Sequence, residues 1–480
     1  MDISLYYSEF IAVAIVLIYV VAIVSAIESI INVRTAQGTI AWVISLLTFP
    51  YLAVPLYLVF GRSKFDGYLE QKDEIEAETA EQLENTQDNV EEHIIPRSSN
   101  LPLYTSLFKL ARLPATSSNS AELLIDGEAT FSSIEAGLRA AEHYILFEFY
   151  IVRDDDLGTR LCDILCDKAR AGVKVYFIYD EIGSRPFPRS KLYKQLKLAG
   201  VHIAAFNTTQ GRRNRFQLNF RNHRKIVVVD GKTAWIGGHN VGDEYLGKNK
   251  RIGQWRDTHV KLEGPAVLGA ELSFSTDWRW ATRTALDINW DLTGQAMGSC
   301  NVMVFPSDPA SEFEEAGLMY HQVIAYSRRR IWIASPYFVP DRGIVAALQL
   351  AALRGVDVRV MIPDEPDGPV VGMANWSFTR ELLPAGVKVY RYQGGFMHQK
   401  VFLMDDELAG VGTANFDNRS FRLNFEITLL IHNESFSESI ETMLANDFSR
   451  SHLVTQQDID NKPFWFPLAM GAARLMSPVL

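Results

Sequence analysis

The sequence is poor in cysteine and has no surplus of basic residues. Only Cys162, Cys166 and Cys300 occur in 480 residues. No cluster of cysteine and histidine has the spacing of a zinc site, and the odd number of cysteines favours reduced thiols in a cytoplasmic domain. The net charge is −10, from 47 basic and 57 acidic residues. Because nucleic-acid-binding proteins usually carry a basic footprint, this balance argues against DNA or RNA as a ligand, although a groove can be locally basic.

Two stretches near the N-terminus contain no charged residue. They are Phe10–Ile27 and Thr39–Phe60, and the second includes Pro50 and Pro55. Each approaches the ~20 residues that a helix needs to cross ~30 Å of hydrocarbon. A signal peptide is disfavoured because the first stretch has no basic region before it. We therefore predict a transmembrane hairpin within residues 1–65, with helices over about 10–27 and 39–60, in preference to a buried soluble hairpin.

Basic residues near the hairpin bear on its orientation. Arg34 lies in the short connecting loop, whereas Arg62 and Lys64 follow the second helix. Positive-inside counting therefore leans toward both termini in the cytoplasm. Residues 66–97 are strongly acidic and nearly devoid of apolar side chains between Glu70 and Glu92. This composition predicts a solvated linker, which its charge should keep away from an anionic lipid surface.

The rest of the chain alternates strand and helix patterns twice over. A strand, a helix and a strand follow one another at 144–152, 154–171 and 173–179, and again at 331–339, 343–354 and 356–362. This alternation predicts an α/β fold with two tandem domains, at 98–292 and 293–480, each with a helix covering a mostly parallel sheet. The first half has extra residues, including a basic segment at 211–215, which is either a solvated loop or a patch that attracts anionic lipid headgroups.

One short motif occurs once in each half, within 217–244 and 392–419. It consists of His-x-Lys, four apolar residues and Asp, with an Asn ten residues after the Asp. The first copy contains His223, Lys225, Asp230 and Asn240, and the second contains His398, Lys400, Asp405 and Asn415. A single offset of 175 residues relates all four pairs. Four polar identities at one offset imply an internal duplication.

The spacing within the motif has a physical meaning. The four apolar residues predict a buried strand, on which residues i and i+2 share a face. Each His therefore projects beside its Lys, and an imidazole next to an ammonium group makes an anion site with a nucleophile or base. The glycines before Asn240 allow close approach of the backbone to a ligand. Two copies would form a symmetric pair facing one phosphate; a buried core histidine beside a snorkelling lysine is the alternative for a single copy.

The duplicated motif resembles that of the phospholipase D superfamily. Together with the N-terminal apolar runs, nearly the whole chain is similar to bacterial cardiolipin synthases that carry two membrane helices. The resemblance implies a phosphohistidine mechanism, with His223 as the nucleophile and His398 as the acid and base. Lys225, Lys400, Asn240 and Asn415 would then hold the non-bridging oxygens. No cofactor and no metal is expected.

Four carboxylates are candidates for supporting roles. Glu426 is similar to the family's carboxylate that orients the second histidine, His398, and Asp257 is then expected to serve His223. Asp230 and Asp405 are expected to fix the motif loops through hydrogen bonds without titrating. Ser420 also fits the family pattern, and His239 is expected to pack or to contact substrate.

The resemblance also implies a substrate and a location. One phosphatidylglycerol would donate its phosphatidyl group and a second would accept it, giving cardiolipin and glycerol at the bacterial inner membrane, with the catalytic domains in the cytoplasm. Phosphatidylglycerol and other anionic phospholipids are the expected partners, and no nucleic acid is expected. Three alternatives remain open: transfer to water or another alcohol, a membrane-tethered nuclease, and a non-catalytic scaffold.

Overall fold

The computed structural model describes most of the chain. The described residues are 3–32, 35–61, 74–75, 77, 81, 90–96, 102–206, 219–249, 251–290 and 295–477. They form two compact units, one made of Met1–Gln71 and Thr208–Phe220 and the other of Lys72–Asn207 and Arg221–Leu480. The basic segment 211–215, the residues Arg34, Arg62 and Lys64, and most of the acidic linker lie outside the described residues.

The described residues of the N-terminal unit form three α-helices: α1 (Ile3–Ile31), α2 (Ala36–Thr48) and α3 (Pro50–Leu56). A π-helical turn, Tyr57–Gly61, continues α3. Glu9–Ile31 has a mean hydropathy of 3.1 and is long and apolar enough to cross a membrane. Small and apolar side chains, among them Ala22 and Leu46, pack α1 against the following helices.

The prediction of one continuous helix over Thr39–Phe60 is wrong. The backbone leaves the helical region at Phe49, with φ −130° and ψ 56°, and a new helix begins at Pro50. Proline supplies no N–H and disfavours the α conformation of the residue before it. Each of the two resulting helical pieces is shorter than a membrane span, so only one candidate span occurs among the described residues.

The second unit holds the remaining elements. Its helices are α4 (Pro102–Ala111), α5 (Asp126–Ala140), α6 (Asp156–Arg170), α7 (Lys191–Leu198), α8 (Val267–Thr282), α9 (Glu315–Tyr326), α10 (Arg342–Leu353), α11 (Pro369–Leu382), α12 (Asn418–Arg422), α13 (Glu434–Ser449), α14 (Gln456–Asp460) and α15 (Phe466–Leu475). The strands of the first half are β1 (Ala115–Ile125), β2 (Tyr144–Phe149), β3 (Lys174–Asp180), β4 (His202–Phe206), β5 (Arg221–Asn222), β6 (Ile226–Val229), β7 (Thr233–Gly237), β8 (Trp255–Arg256) and β9 (Thr258–Glu263). The strands of the second half are β10 (Cys300–Ser307), β11 (Arg330–Ala334), β12 (Phe338–Val339), β13 (Asp357–Pro363), β14 (Lys388–Tyr392), β15 (Phe396–Met397), β16 (Val401–Met404), β17 (Leu408–Gly412), β18 (Phe416–Asp417), β19 (Asn424–His432) and β20 (Ser451–Leu453).

The two halves have the same strand order and share one sheet. The order is β20-β14-β13-β11-β16-β17-β19-β10-β1-β9-β7-β6-β2-β3-β4. Reading outward from the central β10–β1 pair, the strands correspond one to one, apart from the extra β20. Strand β1 is shared between halves, because Ala115–Asn119 pairs with β10 and Ser120–Ile125 pairs with β9.

The sheet is mixed, whereas the sequence predicted mostly parallel strands. Strands β2, β3 and β4 run parallel, as do β11, β13 and β14. These are the strands joined by helices, where a crossover allows parallel pairing. The motif strands β6 and β16 pair antiparallel with both neighbours, because each is joined to the next strand by a tight turn.

Two short parallel pairings connect the halves near the motifs. Strand β5 pairs with the start of β19, and β8 pairs with β15. In each pairing, the short strand that immediately precedes a motif histidine pairs with a strand of the other half. Helix α4 also crosses between halves, since its buried side chains belong to the core of the second half.

The hydrophobic cores include two cysteines and part of the C-terminal segment. Cys162 and Cys166 are buried on α6 in the core of the first half. In the C-terminal segment, α15 buries Phe466 and Met470, whereas Leu468 is 79% exposed. The tail therefore packs on the second half with one face and leaves apolar side chains on the other.

Candidate active site

The two motif histidines lie at corresponding points of the duplicated sheet. His223 follows β5 and precedes the buried strand β6, and His398 follows β15 and precedes the buried strand β16. Both imidazoles line one cleft of about 1000 Å³. The expectation that two half-sites face one cavity therefore agrees with the folded arrangement.

His223 is held by the second half of the chain. Its Nδ1 lies 2.9 Å from Oε2 of Glu426 and 3.1 Å from the carbonyl oxygen of Thr413. Its backbone N–H donates to the carbonyl of Phe425 at 2.9 Å. A carboxylate that accepts from Nδ1–H fixes the neutral tautomer whose lone pair is on Nε2.

His398 is held by the first half in the same way. Its Nδ1 lies 2.7 Å from Oδ2 of Asp257, and its backbone N–H donates to the carbonyl of Arg256 at 2.7 Å. The expected pairing of Glu426 with His398 and Asp257 with His223 is therefore wrong. The parallel pairings β5–β19 and β8–β15 bring each histidine to the carboxylate strand of the opposite half.

Further donors hold the two carboxylates. Glu426 accepts from the hydroxyl of Thr413 at 2.6 Å and from the side-chain amide of Asn424 at 3.0 Å. Burial alone would raise the pKa of Glu426, but His223 and the other nearby donors lower it below its usual range. Burial opposes ionisation of Asp257 too, yet Lys400 and His398 lower its pKa. Both carboxylates are therefore ionised.

The amino groups of the two motif lysines contact the neighbouring motif histidines. Lys225 Nζ donates to the carbonyl of His223 at 2.5 Å, and Lys400 Nζ lies 3.0 Å from His398 Nε2. Burial lowers the pKa of Lys225 to about 7 and that of Lys400 to about 8. An anion that enters the cleft would offset this burial cost and favour the charged ammonium groups.

Both imidazoles are neutral near pH 7. Burial lowers the pKa of His223 to about 4, and burial together with Lys400 lowers that of His398 to about 3. Nε2 of His223 has no hydrogen-bond partner among the described residues, whereas Nε2 of His398 contacts Lys400. The His223 ring therefore presents the more accessible lone pair to the cleft.

Asp230 and Asp405 occupy equivalent positions at the ends of the motif strands. Both have φ of +52°. Asp230 accepts from the backbone N–H groups of Glu142, His143 and Tyr144 at 2.8 Å each. Asp405 accepts in the same way from three successive N–H groups, at 328–330. These hydrogen bonds to the two carboxylates hold the loops beside the motif strands.

The two motif asparagines line the cleft with different partners. Asn240 Oδ1 accepts from the N–H of Ile151 at 3.1 Å, and its Nδ2 donates to the hydroxyl of Tyr245 at 3.3 Å. Asn415 is positioned by its backbone N–H, which donates to Ser420 Oγ at 3.1 Å. No described residue bonds Asn415 Oδ1. Its side-chain Nδ2 has no partner among the described residues either, so it can donate to a ligand in the cleft, whereas Nδ2 of Asn240 is already bonded to Tyr245. Ser420 holds the loop that carries Asn415.

The glycine turn before Asn240 leaves room for the carboxylate of Asp257. A Cβ added to Gly238 would lie 2.0 Å from Oδ1 of Asp257. The sequence predicted that this turn contacts a ligand. In the structure it instead contacts Asp257, the carboxylate that holds His398. Next to it, His239 is fully buried and packs beside His259, with their Nδ1 atoms 3.3 Å apart. His239 is thus a packing residue and is absent from the cleft lining.

Several cleft residues were not singled out from the sequence. Arg221, Arg419 and Tyr150 line the cleft beside His223. Strand alternation extended two residues before His223 would have indicated Arg221, since i and i+2 share a face. No local signal indicates Tyr150, which follows β2 and meets His223 only in the folded sheet, with ring centroids 5.1 Å apart.

The geometry allows covalent phosphoryl chemistry. One cleft is lined by a neutral imidazole with an open Nε2 and by a second imidazole on a carboxylate, and two buried lysine side chains with depressed pKa lie against these histidines. A nucleophile with an oriented base opposite an acid, over an anion site, is the arrangement needed to exchange one ester of a phosphodiester for another.

Two known families match three segments of the chain. The family described as "Cardiolipin synthase, PLD-like domain" matches residues 134–258 and 320–448. The family described as "Phospholipase_D-nuclease N-terminal" matches residues 13–62. The two catalytic matches each contain one copy of the motif.

Individual relatives agree with the family matches. The chain is 45% identical over 463 residues to cardiolipin synthase A of Pseudomonas fluorescens (strain SBW25), covering 95% of each chain. It is 46% identical over 469 residues to cardiolipin synthase A of Pseudomonas entomophila (strain L48), covering 97% of each. The crystal structure of phosphatidylserine synthase from Haemophilus influenzae Rd KW20 shares the fold, with a TM-score of 0.60 at 15% identity, over 79% of this chain and 100% of that one. The chain belongs to the cardiolipin synthase family of phospholipase D-like proteins.

Proposed function

We propose that the protein is a cardiolipin synthase that transfers a phosphatidyl group from one phosphatidylglycerol to another. The observation that carries this proposal is the placement of two imidazoles, from two halves of the chain, in one cleft. His223 and His398 are each held by a carboxylate of the opposite half. Family membership over nearly the whole chain supports the choice of lipid substrates.

In the first step, Nε2 of His223 attacks the phosphorus of the donor lipid. The bond between phosphorus and the headgroup glycerol oxygen breaks, and His398, once protonated, gives its proton to that oxygen so that glycerol leaves. His223 is assigned as the nucleophile because its Nε2 has no partner among the described residues, whereas Nε2 of His398 contacts Lys400. A bound phosphodiester anion raises the pKa of the facing imidazole, which provides the proton for the acid.

In the second step, the glycerol hydroxyl of another phosphatidylglycerol enters. His398 takes the hydroxyl proton, the oxygen attacks phosphorus, and the bond between phosphorus and Nε2 of His223 breaks. One phosphodiester replaces another, so no nucleotide is consumed. Excluding water from the cleft favours the lipid hydroxyl over hydrolysis to phosphatidic acid.

The remaining motif residues have separate roles. Lys225 and Lys400 offset the charge of the non-bridging oxygens, and Asn415 donates to one of them. Glu426 and Asp257 orient the imidazoles and stabilise their charged forms. Asp230, Asp405 and Asn240 hold the loops that carry these groups.

We further propose that the enzyme resides in the bacterial inner membrane. The N-terminal unit would be a multi-pass hairpin, in which the broken second segment completes the crossing, and the catalytic halves, 98–292 and 293–480, would face the cytoplasm. The apolar helix Glu9–Ile31 supports membrane attachment. Labelling of single cysteines placed at each end of this helix, with a membrane-impermeant reagent, would test the orientation.

Product analysis tests the activity. Full-length protein in detergent micelles with radiolabelled phosphatidylglycerol should release cardiolipin and glycerol in equal amounts. His223→Ala should abolish both products, and His143→Ala, a surface histidine of the same half, should leave them unchanged. Formation of phosphatidic acid without cardiolipin would instead indicate a phospholipase D.

Acid-labile phosphorus on the enzyme tests the mechanism. Rapid quenching with phosphorus-labelled donor, followed by proteolysis at alkaline pH, should place the label on the peptide that contains His223. His398→Ala should form this label more slowly, because the departing glycerol oxygen then has no proton donor. Label on the His398 peptide in the wild type would reverse the two roles.

A further inference from the structure

Two arginines from opposite halves lie in the cleft beside the nucleophile. Arg221 is on β5 and Arg419 is on α12, and both are half-buried and line the same cleft as His223. The reaction mechanism above uses neither of them. Two cations held close together in a partly buried site repel each other, and an anion between them relieves that repulsion.

The backbone directs Arg221 toward the same side as His223. The N–H groups of both residues donate to alternate carbonyls of the parallel neighbour, those of Leu423 and Phe425. Residues two apart on an extended strand project from one face about 7 Å apart. The guanidinium of Arg221 is therefore expected beside the phosphorus that His223 attacks. A glycerol that links two phosphates can span the distance between that phosphorus and a phosphate at Arg221.

Tyr150 connects Arg221 with the histidine. The Tyr150 ring meets His223 edge to face, and its hydroxyl receives a hydrogen bond from Arg221. The charge of Arg419 acts to lower the pKa of Tyr150, so these two side chains are close. Burial and the charge of Arg221 lower the pKa of Arg419, so the two arginines are also close. The charges of Asp417 and Asp180 act on Arg419 in the opposite sense, toward a higher pKa.

Acidic residues elsewhere in the cleft lining disfavour other positions for an anionic headgroup. Asp364, Glu365 and Asp367 also line the cleft, and an anionic headgroup is repelled from them. A phosphate other than the one under attack is therefore favoured near the arginines of the cleft, whose planar guanidinium groups suit phosphate oxygens. Of these, Arg221 and Arg419 are grouped with Tyr150, which contacts His223.

We propose that Arg221 and Arg419 bind the phosphate of the acceptor lipid. This inference rests on the proposed function, because only an acceptor that is itself a phospholipid brings a second phosphate. The site would place the acceptor's terminal glycerol hydroxyl at the phosphohistidine. It would thereby select an anionic lipid over water or a neutral alcohol.

A partition experiment tests the assignment. The full-length enzyme acts on labelled phosphatidylglycerol in mixed micelles that contain a fixed excess of ethanol, and cardiolipin and phosphatidylethanol are quantified together. Both products arise from the same phosphohistidine, so their ratio reports acceptor choice and is insensitive to the amount of folded enzyme. The variants are Arg221→Gln and Arg419→Gln, and the matched control is Arg251→Gln, which removes another cation that lines the cleft.

The expected ratio of cardiolipin to phosphatidylethanol falls roughly 10–100-fold in each variant, the range expected for loss of a charged hydrogen bond. The ratio of the control should equal that of the wild type. An unchanged ratio in both variants, with the two products falling together, would overturn the proposal and place the arginines on the donor phosphate. An equal fall in the control would also overturn it, since any cleft cation would then suffice. Absence of cardiolipin from the wild type would instead refute the proposed function.

Discussion

Nδ1 of His223 lies 2.9 Å from Oε2 of Glu426, although 203 residues separate them in the chain. The equivalent pair, His398 and Asp257, is 2.7 Å apart across 141 residues. Each half of the duplication therefore contributes the histidine of one pair and the carboxylate of the other. A single half has no competent imidazole, so the two halves must fold together before either histidine is oriented.

Removing one carboxylate tests this crossed arrangement. Glu426→Gln keeps the size of the side chain but loses the charge that fixes Nδ1–H and stabilises the imidazolium. We expect kcat for cardiolipin formation to fall about 10²–10⁴-fold, with a smaller change in KM. The control is Glu438→Gln, an exposed position on α13. Equal kcat values for the two variants would contradict an orienting role for Glu426.

A methyl group at Gly238 should disturb the other pair. In Gly238→Ala the new Cβ would overlap Oδ1 of Asp257, which lies 2.0 Å from its position. Asp257 must then move away from His398, so we expect a loss of kcat similar to that of Asp257→Asn. Gly368→Ala, where an added Cβ meets no atom within 4 Å and φ is −148°, is the matched control. Full activity in Gly238→Ala would show that the carboxylate position is not critical.

The depressed lysine pKa values predict a basic limb in the pH profile. Lys225 has a pKa of about 7 and Lys400 of about 8 because both are buried. Each is charged below its pKa and neutral above it, so the site loses positive charge as the pH rises through this range. We expect kcat/KM, which reports the free enzyme, to fall as pH increases past these values.

Arginine substitution provides the control for that limb. Lys225→Arg keeps the charge at high pH, because a guanidinium stays protonated throughout the accessible range. The limb should therefore move to higher pH in the residual activity of this variant. A limb at the same pH in wild type and variant would mean that Lys225 does not produce it.

The buried ion pair between Arg256 and Asp447 should contribute to the free energy of unfolding. Arg256 donates to Asp447 through Nε at 3.0 Å and Nη2 at 2.9 Å, and both side chains are almost completely buried. Asp447→Ala leaves the guanidinium without its main partner, and we expect the free energy of unfolding to fall by about 3–5 kcal/mol. Urea unfolding of the protein in detergent measures this. The double variant Arg256→Met with Asp447→Leu should lose less, and equal losses would contradict an uncompensated charge as the cause.

Local patterns predicted the parts of the site that are set within a few residues. The apolar runs Ile226–Val229 and Val401–Met404 are buried strands, as their composition indicated. Asp230 and Asp405 hold the adjoining loops through backbone N–H groups, as their position at the strand ends suggested. The break at Phe49 also had a local signal, since Pro50 excludes a continuous helix.

The sequence alone determined that the motif is duplicated, which two histidines meet in the cleft, and that an apolar helix accompanies them, because repeats, spacing and hydropathy are properties of neighbouring residues. Only the tertiary structure decided that Glu426 serves His223 and Asp257 serves His398, and that Arg221, Arg419 and Tyr150 meet at one end of the cleft. These contacts depend on the pairings β5–β19 and β8–β15, which join segments far apart in the chain. Strand pairing between distant segments is chosen by the packing of the whole sheet, so the periodicity of either strand does not encode it.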